Sequence, residues 1–335
     1  MRRRLLCLIL LAAALPASLI AAGCASSSAS RDGDKLALVA YSTPQEAYEQ
    51  IIPAFQRTAA GKGVGFSQSY GASGDQSRAV AAGLPADVVA LSLEPDVTKL
   101  ADAGLVAPGW NHDRSHGFVT DSVAVLAVRK GNPKRIRSWD DLTRPGVKVL
   151  TPNPFSSGSA KWNIMAAYGA QLERGRSDAQ AQTYLKALLE NTVVQDKSGR
   201  DALQTFTSGK GDVLITYENE AITARQKQQP LDYVIPSDTI LIENPVAVVK
   251  GGNDAKAKAF VHFLHTPTAQ RIFAAKGYRP VERSLLDTRR FPTPPGLFTI
   301  AKFGGWSAVN KRFFDPENGV VTKIEHGLGV STAKG

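Results

Sequence analysis

Small, uncharged residues that carry hydrogen-bond donors lie where predicted strands run into predicted helices. The stretch TPNPFSSGSAKWN places Ser156, Ser157, Gly158 and Ser159 between a strand pattern and an apolar-periodic helix pattern. The first N–H groups of a helix have no partner inside the helix, and the helix dipole adds a partial positive charge there. Small side chains let a ligand approach these groups closely. This turn therefore favours the binding of an anion by uncharged donors.

Three other stretches repeat this arrangement. They hold Ser73 in GASGDQSRAV, Gly199 in DKSGRDALQTF, and Ser42 with Thr43 in YSTPQEAY. Gln76 stands three residues after Ser73, which is the spacing of a capping box. Strand ends that meet at one edge of an open α/β sheet would bring the four turns together. Helix capping alone would also explain each turn taken singly.

Motifs for catalysis or metal binding are absent from the sequence. It contains no G-x-S-x-G motif, no Walker A sequence and no G-x-G-x-x-G fingerprint. His262 and His265 stand three residues apart in one helix pattern, but no third metal ligand accompanies them at a recognisable spacing. Glu218 and Glu220 are too close along the chain to face each other across a substrate. We therefore predict a protein that is not an enzyme and holds neither a metal ion nor a cofactor.

Strand and helix patterns alternate along the chain, which indicates an α/β fold. Two long extended stretches, GFVTDSVAVLAVRKGNP and TILIENPVAVVKGG, flank the middle block of the sequence. Each could cross between two lobes that enclose a ligand cleft. We therefore expect residues 36–122 and 247–335 to form lobe I, and residues 123–246 to form lobe II.

The N-terminus has the pattern of an export signal. Three arginines precede an apolar run and a group of small residues, so residues 1–23 are predicted to be a signal peptide. The end of this segment, AAGC, resembles a bacterial lipobox with Ala21 in place of the usual Leu. Lipidation of Cys24 would anchor the protein by acyl chains to the outer face of the cytoplasmic membrane, and residues 24–35 would form a flexible linker.

Charge and cysteine content agree with an exported protein that does not bind nucleic acid. The net charge is +10, but the basic residues are scattered and form no dense stripe with aromatic residues. The two cysteines are Cys7, inside the predicted signal, and Cys24. The remaining chain must therefore fold without disulfides, and at this length its core suffices for that. We expect a monomer.

Five stretches together resemble the periplasmic sulfate-binding proteins of bacterial ABC importers. In chain order they are GASGDQ, RKGNPKRIRSWDDLTRPGVKV, TPNPFSSGSAKWN, GDVLITYENEA and LFTIAKFGGW. The similarity runs from Val39 to Phe314. It implies the type II periplasmic-binding-protein fold, in which two lobes, each a mixed sheet flanked by helices, close over one sulfate ion. It also implies that the ion is delivered to ABC permease subunits in the membrane.

The resemblance further implies which residues bind the ligand. The family binds sulfate through backbone N–H groups at helix starts, serine hydroxyls and one aromatic side-chain donor. Carried over by position, Ser73 donates from lobe I, and Ser157, Gly158, Ser159 and Gly199 donate from lobe II.

The sequence departs from the family pattern at three of its candidate positions. Ser159 stands where the family usually has Gly, Gly199 where it has Ala, and Tyr217 where it has Trp. The first two changes keep the backbone donor, and Tyr217 is the candidate aromatic donor, because a phenol also donates one hydrogen bond. Ser42, Thr43 and Arg200 are the candidates for that place if Tyr217 does not donate.

A site made only of donors would select sulfate over phosphate. Phosphate keeps a proton at neutral pH, and a buried proton without an acceptor is unfavourable. Asp75 and Asp201 lie near the turns, but none of the turns supplies an evident acceptor. Thiosulfate and molybdate, which also lack an acidic proton, are alternative ligands. An exported enzyme that uses the helix starts as an oxyanion site is the alternative from another class.

Overall fold

The computed structural model describes residues 35–251 and 253–332. The predicted signal peptide, Cys24 and the predicted linker up to residue 34 lie outside these residues. The described part contains eleven strands and eleven α-helices, together with short 3₁₀ helices at Trp139–Thr143, Arg283–Leu285 and Ile300–Phe303.

The bounds of the elements are as follows. The strands are β1 (Lys35–Tyr41), β2 (Gly65–Gly71), β3 (Val88–Ala90), β4 (Phe118–Arg129), β5 (Val149–Pro152), β6 (Thr192–Asp196), β7 (Val213–Tyr217), β8 (Leu231–Val234), β9 (Asp238–Val248), β10 (Arg279–Pro280) and β11 (Gly296–Phe298). The helices are α1 (Gln45–Gln56), α2 (Ser73–Ala81), α3 (Glu94–Asp102), α4 (Gly158–Glu173), α5 (Asp178–Glu190), α6 (Gly199–Thr207), α7 (Glu218–Gln226), α8 (Asp254–Leu264), α9 (Pro267–Ala275), α10 (Gly305–Phe313) and α11 (Val320–Gly327).

The strands form a continuous mixed sheet in the order β2-β1-β3-β9-β4-β7-β5-β6, with β8 and β10 paired to β4 and β11 paired to β9. Strands β1, β2 and β3 are parallel, as are β5, β6 and β7. The two long strands β4 and β9 are antiparallel to each other and lie between these two groups. The α/β class expected from the alternation of patterns is thereby confirmed.

Helices cover both faces of the β1–β3 group. On one face, α1, α8 and α9 contribute Tyr48, Phe55, Phe260 and Phe273 to a cluster of packed aromatic rings. On the other face, α2 and α3 contribute small aliphatic side chains. Pro267 begins α9, as the break at this proline in the sequence predicts, and the Thr266 hydroxyl caps the helix by accepting from the Ala269 N–H.

The second parallel group packs against α4, whose residues are buried along nearly its whole length. Helix α10, the last helix but one, also packs here, because Trp306 meets Trp162 edge to face at 4.6 Å between ring centroids, and Phe313 meets Tyr168 at 4.8 Å. The C-terminal segment thus covers the middle block of the chain. None of the helices in the described ranges is long and apolar enough to cross a membrane.

A buried ion pair joins the start of α7 to β10. The Arg279 Nε donates to Glu218 Oε2 at 2.7 Å and its Nη2 donates to Oε1 at 3.1 Å, while the two side chains are only 5% and 0% exposed. Nη2 also donates to the carbonyl of Pro292 at 3.0 Å. The carboxylate lies at a helix N-terminus, where the dipole favours it. Both charges are therefore satisfied without water.

We expect Arg279→Met to lower the free energy of unfolding by about 3–5 kcal/mol, because it leaves the Glu218 carboxylate buried and unpaired. Urea denaturation measures this difference. The matched control is Arg289→Met, which removes a 95% exposed partner of Asp287 and should change stability by less than about 0.5 kcal/mol. Equal effects of the two substitutions would contradict the structural role of the buried pair.

Candidate functional site

A small cavity lies where the carboxyl ends of β1, β2 and β3 face the starts of α4 and α6. It brings together five of the residues predicted from the sequence, which are far apart along the chain. These are Ser42, Ser73, Ser157, Ser159 and Gly199. The four turns identified in the sequence do therefore converge on one place.

Three helices begin at this cavity. Helix α2 starts at Ser73, α4 at Gly158 and α6 at Gly199, and the residue before each start has an extended backbone. The N–H groups of a first helical turn lack partners within the helix, and three positive dipole ends meet here. The described residues that line the cavity number ten and include no acidic or basic side chain. The cavity thus suits a small anion bound by neutral donors.

Two of the serines in the wall have hydroxyl protons committed to carboxylates. The Ser73 hydroxyl donates to Asp96 Oδ2 at 2.6 Å and accepts from the Ser92 N–H at 2.9 Å. The Ser198 hydroxyl donates to Asp201 Oδ2 at 2.7 Å and accepts from the Asp201 N–H at 3.2 Å. The Ser73 and Ser198 side chains therefore stabilise the wall, and only the backbone N–H groups of these two turns remain available to a ligand.

The capping box predicted for Ser73 and Gln76 is wrong. Ser73 is the first residue of α2, and Ala72 is the N-cap. The Gln76 amide instead donates to the Ser69 hydroxyl at 3.0 Å and to the Ala40 carbonyl at 3.3 Å. The spacing fits a capping box, but the Ser73 hydroxyl donates instead to the partly buried carboxylate of Asp96, 23 residues further along the chain.

The other two serines from the TPNPFSSGS turn bond to each other. Ser157 Oγ and Ser159 Oγ are 2.8 Å apart, and either can be the donor. Both residues are buried and both line the cavity. Ser157 is the N-cap of α4, but its hydroxyl faces Ser159 and makes no capping bond.

Four further predicted residues lie around the cavity without lining it. Gly158 packs its backbone against Ser92 and Leu93, since a Cβ there would be 3.0 Å from Ser92 Oγ and 2.8 Å from Leu93 Cγ. Thr43 and Arg200 face a neighbouring pocket of about 160 Å³. The Arg200 Nε donates to the Ser42 carbonyl at 3.1 Å, and so holds the cavity wall from outside.

Tyr217, the fourth, lies behind the wall. Its side chain is fully buried, and its hydroxyl is 2.7 Å from Ser92 Oγ, which does line the cavity. The Ser92 carbonyl accepts in turn from the Trp162 indole N–H at 2.8 Å and from the Asn244 amide at 3.3 Å. Tyr217 therefore contacts the cavity through Ser92.

Five residues complete the wall but are not among the site residues predicted from the sequence; they are Tyr41, Gly71, Ala72, Ser92 and Ser198. Ser198 stood in a turn already identified, and only its neighbour Gly199 was selected. Ser92 follows strand β3 and precedes α3, so it has the same strand-end placement as the other turns. That placement was the signal that could have found it.

Several carboxylates lie close to the cavity without lining it. Asp75 forms ion pairs with Arg78 and with Lys197, the latter at 2.8 Å. Burial raises the pKa of Asp96, and the hydrogen bond from Ser73 partly opposes this. Glu220, at the start of α7, accepts from Thr216 Oγ1 at 2.5 Å, and burial raises the pKa of its carboxyl to about 7. The Glu220 carboxyl, whose pKa of about 7 is near neutral, therefore carries only part of its negative charge at that pH.

The histidines with metal-like spacing are remote from this cavity. The ring nitrogens of His265 lie 3.2 Å from the Val261 carbonyl and 3.1 Å from the Phe118 carbonyl, at the end of α8. Within the described ranges, no group of three or more His, Cys, Asp or Glu side chains is arranged to hold a metal ion.

Comparison with known proteins extends over most of the chain. Residues 36–279 match the family model described as bacterial extracellular solute-binding protein. A sulfate-binding protein of Synechococcus elongatus is 42% identical over 90% of this chain and 90% of its own. A thiosulfate-binding protein of Pseudomonas aeruginosa is 36% identical over 89% of this chain and 94% of its own.

A solved structure agrees with these sequence matches. The sulfate-binding protein SubI from Mycobacterium tuberculosis H37Rv superimposes with a TM-score of 0.82 and 45% identity, over 84% of this chain and 99% of that one. The two-lobed binding-protein fold expected from the resemblance is confirmed by this match. The chain is a member of the bacterial extracellular solute-binding protein family.

Proposed function

We propose that this protein binds sulfate outside the cytoplasm and delivers it to the permease of an ABC-type importer. The observation that carries the proposal is the cavity wall, where three helix starts meet and no lining side chain among the described residues is charged. The relatives named as sulfate-binding proteins, at 42% and 45% identity, support the same ligand.

Neutral donors are physically sufficient for such a ligand. Sulfate presents four oxygens that accept hydrogen bonds and carries no proton at neutral pH. A hydrogen bond to a charged group contributes about 1.5–3 kcal/mol, so a few correctly aimed N–H groups offset the loss of hydration. A buried cation would have to be desolvated as well, which N–H groups already held in helices avoid.

Thiosulfate is the second candidate ligand, because a thiosulfate-binding protein is among the relatives at 36% identity. Sulfate is favoured since the relatives with higher identity are named for it. Molybdate is an alternative on chemical grounds only. Two observations disfavour the alternative of an exported enzyme. The relatives are named as binding proteins, and the described residues that line the cavity include no histidine that could act as a base for the serines.

The protein closes over its ligand, in this proposal, by movement of two lobes about β4 and β9. Lobe I comprises residues 36–122 and 247–335, and lobe II residues 123–246. In support, β3 pairs with the end of β9 from Val246 to Val248, whereas β7 and β8 pair with the later half of β4, from Ala124 onwards. The segment from Gly305 to Gly327 belongs to lobe I in this division of the chain, but it packs on helices of lobe II.

Contacts across the cleft support a closed arrangement. Lys197 pairs with Asp75 at 2.8 Å, and Arg200 approaches Glu46 at 3.8 Å. The Trp162 indole donates to the Ser92 carbonyl from the opposite lobe. These bonds join surfaces that would separate on opening, and each involves a residue next to the cavity wall.

The family is extracellular, and we propose that export uses the signal at residues 1–23 and that acyl chains on Cys24 hold the protein at the outer face of the cytoplasmic membrane. The linker up to residue 35 then lets a monomer move between free ligand and the permease. This part of the proposal depends on the sequence pattern alone.

Isothermal titration with sulfate, thiosulfate, molybdate and phosphate tests the ligand. At neutral pH we expect sulfate to bind about tenfold to a hundredfold more tightly than phosphate, because the proton of phosphate would find only donors in the cavity wall and no acceptor. Comparable affinities for sulfate and phosphate would contradict the donor-only wall, and tighter binding of thiosulfate than of sulfate would reassign the ligand.

Small-angle scattering tests the lobe movement. Because the proposed hinge lies in β4 and β9, sulfate should shift the protein from an open to a closed form and reduce its radius of gyration. Phosphate at the same concentration is the control and should leave the radius unchanged. A radius that is the same with and without sulfate, under conditions where calorimetry shows binding, would argue against the hinge.

Tyr217→Phe tests the contact through Ser92. Because the removed hydroxyl bonds to a neutral serine, we expect sulfate affinity to fall about two- to tenfold. Tyr184→Phe is the matched control, since its buried hydroxyl donates to the Trp139 carbonyl at 2.6 Å, away from the cavity. Unchanged affinity in the Tyr217 variant would exclude this relay, and a hundredfold loss would instead indicate direct contact with the anion.

A further inference from the structure

The Ser157 and Ser159 hydroxyls leave one proton without a protein acceptor. Together they hold two protons, and the bond between the two oxygens, 2.8 Å long, uses one of them whichever serine donates. Neither hydroxyl has another hydrogen-bond partner in the part of the chain that the structure describes. Both serines are 3% exposed and both line the cavity. A buried donor without an acceptor is unfavourable, so this proton points to a ligand.

The space around this pair depends on residue 199. A Cβ on Gly199 would lie 3.1 Å from Ser159 Oγ and 3.1 Å from Glu220 Oε2, which is closer than ordinary van der Waals contact. Gly199 begins α6, and its φ lies outside the left-handed region, so any residue could adopt its backbone conformation. Glycine is therefore required here by space and not by the backbone.

We propose that the Ser159 hydroxyl, and not only the Ser159 backbone N–H, takes part in binding the anion, as one half of a two-hydroxyl donor with Ser157. Residue 199 is glycine, in this proposal, because any side chain there would occupy the space that the Ser159 hydroxyl needs. The inference rests on the proposed function and assigns Ser159 and Gly199 as a coupled pair that determines affinity. One proton of the pair is shared between the serines, and the other is donated to an anion oxygen. The shared bond also polarises the donating hydroxyl.

The first test is a double-mutant cycle read by calorimetry with sulfate. Ser157→Ala and Ser159→Ala each leave one hydroxyl that can still donate, so each should weaken binding only a few-fold. The double variant removes both protons and should weaken binding by about tenfold or more, and by more than the product of the two single losses. Ser156→Ala is the matched control in the same turn, because its hydroxyl donates to the Lys197 carbonyl at 2.9 Å, and affinity should be unchanged.

The second test measures Gly199→Ala in the parent and in the Ser159→Ala background. The added methyl group should weaken sulfate binding in both, because Glu220 stays in contact, but the loss should be at least about twofold smaller once the Ser159 hydroxyl is gone. Thermal unfolding of each variant identifies any that do not fold. If Gly199→Ala does not fold, the serine cycle decides alone, and Ser→Gly, which also removes the hydroxyl without adding bulk, replaces Ser→Ala for a serine variant that does not fold, with the same expected order of effects.

The outcomes separate this inference from the proposed function. If the parent protein does not bind sulfate, both are rejected. If the parent binds sulfate but the double serine variant loses no more affinity than the product of the two single losses, the shared donor is rejected alone. Equal effects of Gly199→Ala in the two backgrounds would likewise overturn the coupling and leave Glu220 as the reason for glycine. The expected non-additivity in both cycles supports the inference.

Discussion

An anion that is taken out of water must find hydrogen bonds for all of its oxygens, and this requirement explains most of what surrounds the cavity. The described wall supplies donors without a positively charged side chain. Most of the donors must then come from the backbone, and backbone N–H groups are free only at special places such as the first turn of a helix. Three helices start at the cavity because one helix can aim its N–H groups at only one side of a ligand.

The serines of the wall have two different tasks. Ser73 and Ser198 direct their hydroxyl protons to Asp96 and Asp201, so that their side chains fix the turns. The carboxylates thus accept from the wall and are kept out of the cavity, where they would repel an anion. The Ser157 and Ser159 hydroxyls share one hydrogen bond, which leaves one of their two protons without an acceptor among the described residues. A wall rich in serine therefore presents few free hydroxyls, and the backbone carries most of the binding in the proposed function.

The surrounding structure holds these donors in place with buried polar contacts. The Glu218–Arg279 pair fixes the start of α7 directly after Tyr217, and the Ser92 carbonyl collects donors from Trp162 and Asn244. Such contacts contribute little net stability when intact, but they are costly to break, so they favour one arrangement over others. In a binding protein this matters because donors that are already oriented need no reorganisation when the ligand arrives.

Much of the fold and of the candidate site could be predicted from the sequence, because the patterns that indicate them are local. Strand and helix patterns, the break at Pro267 and the four donor-rich turns depend on residues a few positions apart, and the structure confirms the α/β class and brings the turns together. The hydrogen-bond and packing partners of individual side chains could not be predicted in this way. Ser73 bonds to Asp96 and not to Gln76, Ser92 joins the wall, Tyr217 lies behind it, and α10 packs on α4. Each of these contacts depends on which groups the folded sheet brings close together from distant parts of the chain. The distance and burial of those groups then determine which of them a hydroxyl bonds to. Sequence therefore determined where free donors occur, and tertiary structure alone decided which of them face the cavity.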